Sequence, residues 1–160
     1  MTLPLFLLNL VLAGVWIILN QDASFFHLLM GFLAGALITH ILAIALGQGN
    51  YLGRLWTRVR FLGYFIRILI EANIEVAKEI LTPGHSMKPC FIRYDVSELD
   101  AVQTTTLASA ITLTPGTLST DVSDDGNTLY IHAMYAEDRD KALAALDELR
   151  NRLMEDVFAQ

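Results

Sequence analysis

The sequence predicts an α+β membrane protein with three parts: an N-terminal transmembrane helical hairpin, an amphipathic interfacial helix, and a C-terminal cytoplasmic βαββα domain of split-βαβ, ferredoxin-like type. Three observations predict it. Charge is confined, since residues 1–53 hold one acid, Asp22, and no Lys or Arg, whereas residues 84–160 hold 6 of the 11 basic and 13 of the 17 acidic residues. Two long apolar runs precede Arg54, in a chain that is 54% hydrophobic and only 18% charged, against about a quarter charged in ordinary soluble domains. Beyond Pro89 the apolar residues begin to alternate, the period of a half-buried strand. These shifts place the domain limits at 1–50, 51–83 and 84–160.

The first apolar run, Leu3 to Leu19, is interrupted by a single amide, Asn9. It has about the minimum length for a span. Pro4 stands where a first helical turn tolerates proline. A signal peptide requires a basic segment ahead of its apolar stretch, and no basic residue precedes Arg54, so the run reads as a retained helix. Asn20 to Ser24 is a polar turn. Phe25 to Leu46 is a second run, long enough to cross a bilayer. Gly31 and Gly35 within it form a G-x-x-x-G pair, a spacing that lets another helix approach closely and marks a candidate partner contact, although glycine is also common in membrane helices. Arg54, Arg58 and Arg60 cluster after the second run, so the positive-inside rule puts that side, the N-terminus and the tail in the cytoplasm.

Arg54 to Leu81 is proline-free and helical in pattern. Most of its surface is apolar (Leu62, Phe65, Ile66, Leu69, Ile70, Ile74, Ala77, Leu81). A narrow stripe of Arg60, Arg67, Glu71 and Lys78, with Glu75 beside it, points in nearly one direction at 100° per residue. Such a helix suits a membrane surface or a groove between lipid and protein. As a third span, residues 56–81 would carry Arg67, Glu71 and Glu75 to depth at ~2.5–3.5 kcal/mol each, which favours the interfacial placement. A span whose charges are paired by protein neighbours is the alternative. Arg60, Arg67 and Glu71 are candidate partner contacts.

Thr82-Pro83-Gly84 stops this helix, and residues 85–89 form a linker. Cys90 to Val96 alternates as a strand, with Ile92, Tyr94 and Val96 on one face. Ser97-Glu98-Leu99-Asp100 fits a capping box that opens a helix to about Ala110. In the turn that follows, Pro115 fixes its own φ and biases Thr114 toward extended geometry. Gly116 then takes φ > 0, as at the third position of a type II turn. Thr114, Pro115, Gly116 and Thr117 therefore form a structural turn. Leu118 to Ser123 and Thr128 to Met134 are strands joined by the hairpin signal Asp124-Asp125-Gly126-Asn127. Asp138 to Phe158 is a helix with Ala142, Leu146, Leu149, Leu153 and Val157 on one side. Strand–helix–strand–strand–helix is a ferredoxin-like unit without its last strand.

No Walker loop, G-x-G-x-x-G, H-E-x-x-H or cysteine cluster occurs, and His27, His40, His85 and His132 lack metal-ligand spacing. His40, inside the second run, reads as a neutral imidazole hydrogen-bonded to a neighbouring helix. His132 reads as a sheet-surface residue and Cys90 as a small hydrophobe at a strand start. Asp121, Asp124 and Asp125 read as a solvated hairpin without EF-hand spacing. The expectation is therefore no catalytic, cofactor-binding or metal residue, no cofactor and no enzyme activity. The acidic tail leaves no basic patch for nucleic acid. Two helices cannot enclose an ion path, so a transport role requires a larger assembly.

From Leu113-Thr114-Pro115-Gly116-Thr117 the chain resembles the E subunit of the Mrp-type (Mnh or Pha) multisubunit sodium/proton antiporter. The resemblance extends over nearly the whole chain: the apolar pair of helices, Arg60-Phe61, Ala72-Asn73-Ile74-Glu75-Val76-Ala77, Ile111 to Thr117, and the acidic hairpin leading to Leu129-Tyr130-Ile131-His132-Ala133. Ser109 stands where that family often has asparagine. The resemblance implies a bacterial inner-membrane complex exchanging sodium for protons, in which this chain is a multi-pass accessory subunit. Its partners would be the other antiporter subunits and membrane lipid. A membrane-tethered regulatory or ligand-sensing α/β domain is the alternative function.

Overall fold

The computed structural model describes residues 3–83, 87–135 and 139–158. Gly84 of the expected helix stop, His85, and Asp138 of the expected last helix lie outside the described residues. Among the described residues, five helices and three strands follow in order: α1 (Leu3–Asn20), α2 (Phe25–Ala45), α3 (Tyr51–Leu81), β1 (Cys90–Asp95), α4 (Ala101–Leu113), β2 (Thr117–Val122), β3 (Thr128–Ala133) and α5 (Arg139–Leu153), which runs on into a π-helical turn at Met154–Phe158. The chain forms two compact units, Met1–Arg58 and Val59–Gln160, and the division falls inside α3.

In the first unit, α1 and α2 pack on each other through small residues. A Cβ added at Gly35 would lie 2.5 Å from Asn9 Oδ1, and one at Gly31 would lie 2.9 Å from Trp16 Cβ. Only glycine lets the two backbones approach so closely. Ser24 caps α2, accepting the His27 N–H at 3.4 Å, and Asp22 accepts the Ser24 N–H at 2.9 Å. The polar turn is thus built from its own side chains. At the other end Gly47 takes φ +65. Its N–H reaches Ile44 O at 3.0 Å and that of Gln48 reaches Ala43 O at 2.8 Å, a Schellman motif that satisfies the last carbonyls. Asn50 then accepts the Gly53 N–H at 2.8 Å and starts α3. Outward positions are apolar and exposed along both helices, among them Val11, Ile18, Leu29, Leu33, Leu37 and Ile41. Among the described residues, α2 is the one helix long and apolar enough to cross a membrane. Pro4–Asn20 is apolar but shorter.

In the second unit the strand order is β1-β3-β2, with both pairings antiparallel, so β1 and β2 run parallel with β3 between them. Alternation does its expected work: Ile92, Tyr94 and Val96 are buried, as are Leu129, Ile131 and Ala133. Leu107, Ala110 and Ile111 of α4 and Leu146, Leu149 and Leu153 of α5 complete the core, onto which Phe61, Tyr64, Phe65 and Ile68 of α3 also pack. A bulge between Ser119 and Asp121 shifts the β2 register. The helix cap differs from the sequence expectation. The capping box is Asp100 with Gln103 rather than Ser97 with Asp100. Ser97 is held in a turn, its N–H on Asp95 Oδ1 at 2.9 Å, while the Leu99 N–H bonds Val96 O. The chain is therefore still non-helical until Asp100, which accepts the Val102 and Gln103 N–H groups at 2.8 and 2.9 Å.

Candidate functional site

Two stretches singled out by sequence meet in the second unit. The turn after α4 and the charged side of α3 line one cavity of about 330 Å³. Its floor is core: Ile92 and Ile131 of the sheet, Ile111 of α4, Leu146 and Leu149 of α5, and Ile68 and Ala72 of α3. Its rim carries Arg67, Glu71, Glu75 and Glu148, the phenols of Tyr64 and Tyr135, and Thr114 to Thr117.

The turn is held from several directions. Gly116 has φ +88 and the Thr117 N–H reaches Thr114 O at 3.2 Å, the type II geometry expected from Pro115 and Gly116. Thr117 Oγ1 donates to Ile111 O at 2.7 Å, and Thr114 Oγ1 donates to Ala110 O at 3.1 Å. The Met134 N–H bonds Gly116 O at 2.8 Å, tying the turn to the end of β3. Tyr135 lies directly against the glycine: a Cβ there would be 3.0 Å from the ring.

The charged stripe of α3 divides in use. Arg60 pairs with Asp156, whose side chain is fully buried. Sequence reasoning missed that partner. The signal was present, because Asp156 continues the spacing of Leu146, Leu149 and Leu153 past the end of α5, and a carboxylate at a core-periodic position needs a cation. Arg67 Nε donates to Glu71 at 2.9 Å, with both side chains mostly exposed. Lys78 lies exposed in the last turn of α3. Arg152 pairs with Glu148 at 3.6 Å and stands 4.9 Å from the centre of the Tyr64 ring. Burial pushes the Tyr64 phenol above its ordinary value, with Glu148 adding to the shift. Burial likewise raises that of Tyr135, with Glu79 and Glu75 adding to it. The lining offers carboxylates, phenols, hydroxyls and the Arg67 guanidinium over an apolar floor.

The other candidates lie elsewhere. Gly31 and Gly35 face α1 of the same chain. Asn9, buried beside Gly35, donates to the Tyr51 hydroxyl at 3.0 Å. His40 is half-buried, and its Nδ1 makes no hydrogen bond. The bond to a neighbouring helix expected there is not formed through that nitrogen within the described residues of this chain. His132 lies beside Phe91 at 5.0 Å on the outer sheet face. Among the described residues, no group of three His, Cys, Asp or Glu could hold a metal ion.

Fold and cavity together define a small α+β chain that joins an apolar helical unit to an α/β unit with a cavity of apolar floor and charged rim. The chain belongs to the family described as Na+/H+ ion antiporter subunit, MNHE, whose model matches residues 9–156. It is 32% identical over 151 residues to the E subunit of the Na(+)/H(+) antiporter of Alkalihalophilus pseudofirmus, covering 94% of this chain and 96% of that one. It is 33% identical, with the same coverage, to the corresponding E subunit of Bacillus subtilis. A chain in the structure of the Mrp complex from a Dietzia species is similar at 29% identity and a TM-score of 0.50, over 62% of this chain and 94% of that one.

Proposed function

We propose that this chain is an accessory, non-catalytic subunit of a multisubunit Na+/H+ antiporter, supporting assembly, stability or activity of cation/proton exchange. The observation that carries this reading is the seam between α1 and α2. Gly31 and Gly35 bring the backbones so close that a single added Cβ would strike Asn9 or Trp16, which leaves no room for an ion to pass between these two helices. Membership of the MNHE family supplies the complex in which such a chain works. In this reading α1 and α2 both span the inner membrane as a hairpin, and the α/β domain lies in the cytoplasm. The β1-β3-β2 order supports a ferredoxin-like unit lacking its last strand. The functional limits remain 1–50, 51–83 and 84–160. The interfacial placement of α3 is supported by Phe61, Tyr64, Phe65 and Ile68, which pack on the α/β core and are therefore not free to face lipid in mid-bilayer. Arg67 and Glu71, exposed at the cavity rim, are the contacts we assign to a sibling subunit.

The test is deletion and return of the chain. Without it, the co-purifying antiporter subunits should fall in yield, and sodium-dependent antiport in membrane vesicles should fall with them. Re-expression should restore both. Wild-type assembly and transport in the deletion strain would reject the proposal. The cavity also favours a second reading, a membrane-tethered ligand-sensing domain. That reading predicts a deletion strain with intact assembly and altered regulation of transport.

A further inference from the structure

We propose that the cavity beneath the Thr114–Thr117 turn is a socket for an organic monocation, an ammonium or guanidinium group on a short aliphatic stem. The volume of about 330 Å³ lies at the small end of ligand pockets, roughly 300–1,000 Å³. Isoleucine, leucine and alanine side chains line its depth and suit the stem. The rim sets the charge. Glu71 is matched by Arg67 at 2.9 Å and Glu148 by Arg152 at 3.6 Å. Glu75, exposed, is the third carboxylate of the rim. It stands near Tyr135, whose phenol feels Glu75 and Glu79 together. The other phenol of the rim, Tyr64, already has a guanidinium 4.9 Å from its ring centre. Aromatic rings and carboxylates together are the surroundings that hold organic cations. An anion would meet three carboxylates with both nearby guanidiniums already engaged. A bare metal ion lacks a ligand cluster among the described residues.

The cation has two possible sources, a Lys or Arg side chain of a neighbouring subunit or a free amine. The inference does not rest on the accessory role, because the socket can be tested on this chain alone. The full chain, purified in mild detergent, is titrated with butylguanidinium, butanol and butanoate, and binding is followed by calorimetry. Saturable binding of butylguanidinium, about tenfold or more tighter than that of butanoate, is expected. Glu75→Gln, an exposed position, should weaken it several-fold without changing the melting temperature. Ala145→Phe, which fills the cavity from α5, should abolish it. Equal binding of all three probes, or butylguanidinium binding untouched by Glu75→Gln, overturns the proposal. Repeating the titration on the assembled complex then identifies the source. A socket closed to the probe there is occupied by a sibling's side chain, and one still open takes a free cation. Both results require the socket that the first titration establishes.

Discussion

Replacing Gly116 by alanine tests how the turn supports the cavity. Two costs add. The residue sits at φ +88, where an L side chain costs roughly 1–2 kcal/mol in backbone strain. Its new Cβ would also stand 3.0 Å from two carbons of the Tyr135 ring. Moving that half-buried ring aside adds about 1 kcal/mol, the low end of overpacking costs. The expected total is about 2–3 kcal/mol. Gly126 provides the internal control, because it has φ +74 with nothing within 4 Å of an added Cβ. Gly126→Ala should therefore carry only the backbone part, about 1–2 kcal/mol. Amide hydrogen exchange of the full chain in mild detergent measures both, read on peptides covering β3 and α5. Gly116→Ala should speed exchange there about thirty- to a hundred-and-fiftyfold, and removing the ring with Tyr135→Ala should bring the cost of the glycine change down to that at Gly126. Equal effects at the two glycines would refute the packing argument, and unchanged exchange in both would refute the strain argument as well.

Three further outcomes are expected. Single cysteines at Ala23 and Asn151, in a Cys90→Ser background, should differ toward an impermeant thiol reagent on intact cells; Ala23 labels, and labelling of Asn151 would exclude a cytoplasmic α/β domain. Arg67→Ala and Glu71→Ala should each lower the amount of intact complex on native gels while changing the chain's own stability by no more than ~1 kcal/mol, since their pair is exposed; Lys78→Ala should change neither, and equal complex yield in all three would exclude the partner contact. The Tyr94 hydroxyl donates to Asp147 at 2.7 Å. Burial, and then Asp147, raises its pKa above the ordinary value of 10.0. A raised folded-state pKa gives stability that is fully present below about pH 10 and lost as pH climbs toward the folded value, so alkaline unfolding should be less steep in Tyr94→Phe than in the wild type, and parallel curves would contradict it.

What the sequence made legible was local. Alternation in Cys90 to Val96 names the buried face of β1, because a pleated strand leaves no other solution. Pro115 next to Gly116 dictates its turn, because proline fixes one dihedral and glycine alone tolerates the next. The misreading at Ser97 was also local. An S-x-x-D pattern resembles a box, but the Asp95 carboxylate takes the Ser97 N–H first, and the helix waits for Asp100. The cavity was not legible. Its lining comes from α3, both ends of the α4–β2 turn, the sheet and α5, and no periodicity within one segment reports where separate segments leave a gap.

The charged stripe of α3 shows why pattern alone divides such a helix wrongly. Arg60, Arg67, Glu71 and Lys78 share one direction, and sequence treats them as one feature. Packing separates them by what each meets: Arg60 meets a fully buried carboxylate in the π-helical turn after α5, Arg67 and Glu71 meet one another at a cavity mouth, and Lys78 lies exposed in the last turn. The apolar surface divides as well. Phe61, Tyr64, Phe65 and Ile68 pack on the α/β core, while Leu62, Ile66, Ile70 and Ile74, recurring every four residues, are left exposed. Each of these four is already about half covered, so covering the remainder is worth roughly 1 kcal/mol apiece, a contribution this chain does not collect by itself. An uncovered aliphatic row of that length on a helix whose opposite side is already docked needs a second apolar surface. In our reading that surface is lipid or a neighbouring subunit. The row of Leu62 to Ile74, rather than the charged stripe, is then where α3 gains most from being in a membrane complex.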